Sequence, residues 1–360
     1  MPTTEPPFAS HAAMEQAQNI ALAGFHRYRR HKIAERQGFD PDEAYRLGQS
    51  THGIRPSLAE IDDAATHLER YAATPFEDFA DWRAPTVQGV DSDSQLVADQ
   101  AVYQAMANVA AAAGIPMFGE EDEYRALANG HERDAARLRS GPFRDALLRG
   151  DPAGFSDPID GTNQAEAMSI RSAFAHAVAL KYYGERLVMA VVLGCGKLFT
   201  TDGRDVYLGE ALESVAGIRL DPIRVTQNVL LDREHAVVPA SKAATLGRAY
   251  AMSVDPRGFK YIAPLAGIPG ILNGLIDGGC VAAVQTQSYA WDQMAAYFCA
   301  VLGMPVLTEN SDDILDAYQV QNLLLRSMTS GYPVPTLFMG KNLNYAEKLR
   351  SSFRQVSDPR

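Results

Sequence analysis

Four apolar runs follow one another near the middle of this chain: Ala173 to Tyr182, Leu187 to Leu193, Lys197 to Thr201 and Val206 to Leu208. Each has the length of a strand, and Gly- and Asp-bearing turns separate them. Connections that short join strands antiparallel, so the stretch predicts a meandering sheet.

The flanking sequence has other textures. Residues 1 to about 12 read as a tail. From Ala13 to Arg36, the spacing of Ile20, Leu22, Phe25 and Tyr28 predicts an amphipathic helix, with Arg27, Arg29, Arg30, His31 and Lys32 as its solvated face. A loop follows over Gln37 to Arg55, then a helix from Ser57 to Ala72 with Ser57 and Glu60 as its capping box. Ser94 to Ala113 carries the buried stripe Leu96, Val97, Ala101, Val102, Met106 and Val109. Tyr124 to Gly150 is charged and helical in pattern, and reads as an exposed excursion. After Pro222, strands and helices alternate, as a second layered α/β lobe requires.

At 360 residues and 46% apolar content, the chain can bury a large core in two lobes. A formal charge of −11 argues against nucleic acid as the partner, since phosphates are neutralised by clustered Lys and Arg. Cys195, Cys280 and Cys299 lie in apolar segments without metal-ligand spacing and read as core residues of a reducing, cytoplasmic compartment. Neither a secretory signal nor a membrane span is legible, the apolar stretch Pro264 to Ile276 being broken by Gly and Pro.

Chemistry concentrates in Phe155-Ser156-Asp157-Pro158-Ile159-Asp160-Gly161-Thr162, read as a turn between two apolar regions. Pro158 fixes the backbone, so that Asp157, Asp160 and the Ile159 carbonyl can converge on hard cations. Gly161 permits a tight turn, and a helix beginning near Thr162 would offer free N–H groups to an anion. Two more acidic motifs accompany it. Gly119-Glu120-Glu121-Asp122 follows the strand-like Ile115 to Phe118, and Trp291-Asp292 opens the helical pattern Met294, Ala295, Phe298, Cys299, Leu302. Trp291 reads as a packing anchor that aims Asp292, and His176 as a hydrogen-bonded core histidine.

Val97-Ala98-Asp99-Gln100, Gly119-Glu120-Glu121, Asp157 to Thr162 and Trp291-Asp292, in that order, resemble the signature of the inositol monophosphatase superfamily of magnesium-dependent, lithium-sensitive phosphatases. The resemblance runs from about residue 57 to the C-terminus. It implies a layered α+β fold, an α/β/α/β sandwich. Residues 1–56 would be an N-terminal tail and extra helix, 57–220 a lobe with the Glu120 and Asp157 motifs, and 221–360 a lobe with Asp292. It implies that Glu120, Asp157, the Ile159 carbonyl, Asp160 and Asp292 hold Mg2+, that Asp99 binds a further, weaker ion, that Thr162 with Glu120 orients the attacking water, and that the Gly161-Thr162 backbone takes a phosphate oxygen. The activity implied is that of a phosphoric monoester hydrolase acting on a small phosphorylated metabolite, in a homodimer.

The sequence also departs from the pattern. Asn163-Gln164-Ala165 stands where an aromatic usually follows Thr162. Gln285 to Ala290 lacks the carboxylate that holds sugar hydroxyls in inositol-specific members, and Gln88 to Asp91 lacks the usual basic residue. These changes point away from inositol and toward another sugar, polyol or nucleotide phosphate. For a nucleotide, Tyr289, Lys242 and Arg257 are candidate contacts, each equally readable as a packing or surface residue. The alternative is a catalytically repurposed protein that binds a phosphorylated metabolite.

Overall fold

The first helix, α1 (Ala9–Arg36), starts inside the stretch read as a tail. This is a computed structural model, and it describes residues 9–36, 86–88, 94–119, 135–161, 174–211, 221–223, 234–239, 247, 249–252, 259–263 and 267–357. Ile20, Leu22, Phe25 and Tyr28 are buried as expected, but so are Arg27 and Arg29, at 4% and 6% exposure. The solvated basic face is therefore corrected for these two residues. They carry long aliphatic stems that pack, and the Arg29 guanidinium lies 5.6 Å from the Phe25 ring centroid. Between residues 12 and 29, only Ala12 and Glu15 are exposed.

After the hairpin β1 (Thr86–Gln88) and β2 (Ser94–Leu96), α2 (Val97–Ala112) packs against α1. The contact is close because α1 has Gly24 there: a Cβ at that position would stand 2.8 Å from Met106 Sδ. β3 (Met117–Gly119), α3 (Ala135–Arg149) and β4 (Ala153–Asp160) follow. Phe143 and Ala146 of α3 are fully buried in the main core. This part of the 124–150 segment is thus a packed helix and not an exposed excursion.

The meander forms with nearly the expected bounds, as β5 (Ala175–Lys181), β6 (Leu187–Leu193), β7 (Lys197–Thr201) and β8 (Val206–Glu210). With β9 (Asp221–Pro222) they complete a seven-stranded sheet in the order β3-β4-β5-β6-β7-β8-β9, antiparallel except for β3 against β4. The second sheet follows, from β10 (His235–Val237), β11 (Tyr261–Ala263), β12 (Ala282–Gln285), β13 (Val306–Thr308) and β14 (Leu337–Gly340), in the order β11-β10-β12-β14-β13. Between its strands come α4 (Gly267–Gly270), which runs on as a π-helical turn over Ile271–Ile276, then α5 (Met294–Val301) and α6 (Ala317–Ser330). α6 starts at Ala317 because Asp316 caps it: its carboxylate accepts from the Gln319 N–H, and Gln319 Oε1 accepts from the Asp316 N–H. The final helix is α7 (Leu343–Ser357).

Three buried clusters define the layers. One lies between α1, α2 and a face of the large sheet. The main one fills the space between that sheet's other face, α3 to α6 and the small sheet. The third lies between the small sheet and α7. This is the expected α/β/α/β order, closed by α7 on the far side.

Candidate metal centre

The segment read as a turn is a strand. Ala153 to Asp160 form β4, which is central, with β3 on one side and β5 on the other. Proline inside a central strand demands an irregularity, since it cannot donate to the ladder. The irregularity is a β-bulge: Asp157 pairs with Ala177 and Asp160 with Ala175, so β4 advances three residues while β5 advances two.

That extra residue decides where the acids point. Side chains alternate along a regular strand, so residues three apart face opposite sides. Phe155 belongs to the main core, yet Ile159, four residues on, belongs to the cluster beneath α1 and α2. The parity has flipped between them, and Asp157 and Asp160 come to the same face. Gly161 ends the strand at φ +91°, a conformation an L side chain rarely adopts, in keeping with the tight turn expected there.

The third acid arrives from the other sheet. Asp292 lies in the turn between β12 and α5, and α5 itself begins at Met294. Trp291, 2% exposed, stacks on Tyr289 with centroids 5.0 Å apart, consistent with its reading as an anchor. Gln285 Nε2 donates to the Asp292 carbonyl, and Gln293 Nε2 donates to the Thr286 carbonyl at 2.6 Å and to Ser288 Oγ at 2.9 Å, so the loop is closed on itself. In the sequence, the stretch Gln285 to Ala290 stands out only for lacking a carboxylate. The structural use of Gln285, fixing the backbone of Asp292, leaves no signature in the residue order.

One carboxylate oxygen from each of Asp157, Asp160 and Asp292 lies within 4.8 Å of the others. Asp157 is 2% exposed and the other two are half-buried. The Ile268 N–H, in the first turn of α4, donates to Asp160 Oδ2 at 2.5 Å. Two like charges 4 Å apart in such a setting repel by about 4 kcal/mol. All-oxygen donors at this spacing fit a hard cation, since oxygens on opposite sides of Mg2+ stand about 4 Å apart.

Asp99 is in the first turn of α2, 4% exposed, and is not one of the three. Glu120 and Thr162 lie outside the described residues, as do Lys242, Arg257 and the helix expected over 57–72. His176 is a core histidine, as read: it is fully buried, its Nδ1 is 2.5 Å from the Pro158 carbonyl oxygen, and burial pushes its pKa down to about 4. Cys280 and Cys299 are buried, and burial raises both thiols above their ordinary value.

Comparison with known proteins identifies the fold. No family model and no curated protein sequence matches the chain. Among solved structures, an inositol monophosphatase of Thermotoga maritima superposes with a TM-score of 0.51 at 14% identity, over 83% of this chain and 98% of that one. Mycobacterium tuberculosis SuhB superposes with a TM-score of 0.50 at 15% identity, over 98% of each chain. The chain has the inositol monophosphatase fold, a mixed α+β architecture of two sheets layered with helices. Among the described residues, no helix is long and apolar enough to cross a membrane.

Proposed function

We propose that this protein is a magnesium-dependent phosphomonoesterase, hydrolysing a small sugar, polyol or nucleotide phosphate with a metal-activated water. The observation that carries the reading is the convergence of Asp157, Asp160 and Asp292, brought from two sheets to within 4.8 Å in a phosphatase fold. Bound there, Mg2+ supplies the positive charge that acidifies a water and neutralises phosphate and leaving-group oxygens.

The chain's own part is placement. Asp157, Asp160, Asp292, Glu120 and the Ile159 carbonyl hold the cations, with Asp99 at a weaker position. Glu120 and Thr162 orient the water, and the Gly161-Thr162 backbone donates to the phosphate. Phosphoryl transfer is carried mainly by such positioning and charge stabilisation. The same reading makes the protein a cytoplasmic homodimer whose partner is a small phosphorylated metabolite, with no role for nucleic acid or membrane. The stretch Gln285 to Ala290, which has no carboxylate, directs it away from inositol.

The test is phosphate release from a panel of sugar, polyol and nucleotide monophosphates, with Mg2+ and with chelator. Turnover that needs the metal is expected. Absence of turnover on every substrate, together with absence of Mg2+ binding in a calorimeter, would remove the proposal.

A further inference from the structure

His176 stands on β5 between Ala175 and Ala177, the two residues that pair with Asp160 and Asp157. It is directly opposite the bulge, where Pro158 and Ile159 have no Cα partner on β5. A carbonyl oxygen only accepts, so the 2.5 Å contact with Pro158 O means that Nδ1 carries the proton. In the neutral ring, Nε2 is then a bare acceptor, and it is buried without a hydrogen-bond partner among the described residues. Such a nitrogen is a cost that valine or phenylalanine at this position would not incur.

The ring is also held in orientation. Phe25, Tyr28 and Phe174 surround it, with centroids 6.1, 5.4 and 5.9 Å away. Two of these come from α1, which therefore reaches, through one imidazole, the backbone between the two acids.

We propose that His176 is a positioning residue of the carboxylate centre: its Nδ1–H pins the Pro158 carbonyl and so fixes the bulge that puts Asp157 and Asp160 on one face. The inference rests on the cation-binding reading above. The destabilising Nε2 is retained because the geometry of the acids depends on Nδ1. Outer partners that orient ligands typically change metal affinity ten- to a hundredfold when removed.

Mn2+ binding to the metal-free protein, followed by electron paramagnetic resonance, tests this without any turnover. His176→Phe keeps a ring among the aromatics and removes the donor, whereas His176→Gln keeps a side-chain N–H. Roughly tenfold weaker Mn2+ binding is expected for His176→Phe, with most of the affinity restored in His176→Gln and thermal stability of the metal-free His176→Phe protein no lower than wild type. Wild-type affinity in a folded His176→Phe protein overturns the proposal, as does equal weakening in both variants. Should His176→Phe not fold, Phe25→Leu, which loosens the imidazole, carries the same test, and unchanged Mn2+ affinity in that variant overturns the proposal. A wild-type protein that binds no Mn2+ sinks the cation-binding reading itself, an outcome distinct from wild type and variant binding alike.

Discussion

The two faces of the seven-stranded sheet are built to different rules. Toward the small sheet, β5 and β6 present Ala175, Ala177, Ala179, Leu187, Met189, Val191 and Leu193, an unbroken apolar surface. Toward α1 and α2, the same strands present Val178, Leu180, Val188, Ala190 and Val192, but here His176 interrupts the series, and the covering helices carry buried Gln18, Asn19, Arg27, Arg29 and Asp99. An apolar face is stabilised by area and tolerates exchange of like for like. Buried polar groups depend on particular partners, so the second face is where sequence constrains geometry. The difference separates residues that keep the protein folded from residues that keep its acids aligned.

Asp157→Asn should give the largest effect. Replacing a ligand carboxylate by a neutral amide is expected to lower Mg2+-dependent phosphate release roughly a thousandfold, while the melting temperature without metal stays the same or rises, because like-charge repulsion is relieved. Residual turnover near the wild-type rate would break the assignment of Asp157 to the machinery. Phe199→Ala tests the apolar packing by itself. Phe199 is fully buried in the main core, and its truncation is expected to cost about 3–5 kcal/mol in a urea melt, with activity per folded molecule unchanged. If that variant stayed folded and lost activity, the separation of the two faces would not hold.

A pH titration sharpens the comparison at His176. His176 has its pKa lowered from 6.5 to about 4 by burial, so between these values the unfolded chain binds a proton that the folded chain resists. Stability contributed by this group is complete above the unfolded value and is lost as pH falls through the window from 6.5 to about 4. The wild type should lose about 3 kcal/mol there relative to His176→Phe. Denaturant melts of the metal-free proteins between pH 7 and 4 read the difference, and parallel stability curves would contradict it.

Much of this architecture was legible because the signals were periodic. The meander declared itself by apolar runs cut at Gly and Asp, and β6 and β7 have the expected bounds. The acids were found by type and order, and three of them converge. What the sequence concealed was geometry that depends on a neighbour. Asp-Pro-Ile-Asp-Gly has turn composition, and only the pairing of β4 with β5 reveals a bulged strand. Arg27 and Arg29 look solvated until α1 is packed between α2 and the sheet. His176 was readable as a core histidine, but its partner, 18 residues earlier, is a backbone carbonyl and has no side-chain signature.

The smallest effect belongs to a solvent-exposed helix cap. Asp316 and Gln319 cap α6 reciprocally, an arrangement set by local sequence alone and exposed to solvent. Asp316→Ala removes the acceptor for the Gln319 N–H and should cost about 1 kcal/mol of stability, measured by urea denaturation, with Mn2+ affinity and turnover unaltered. The cap acts only within its own helical turn, whereas His176 acts on a backbone that two ligands share. Equal changes in Mn2+ affinity from the two substitutions would mean that the site answers to global stability, and that the polar face under α1 has no special hold on it.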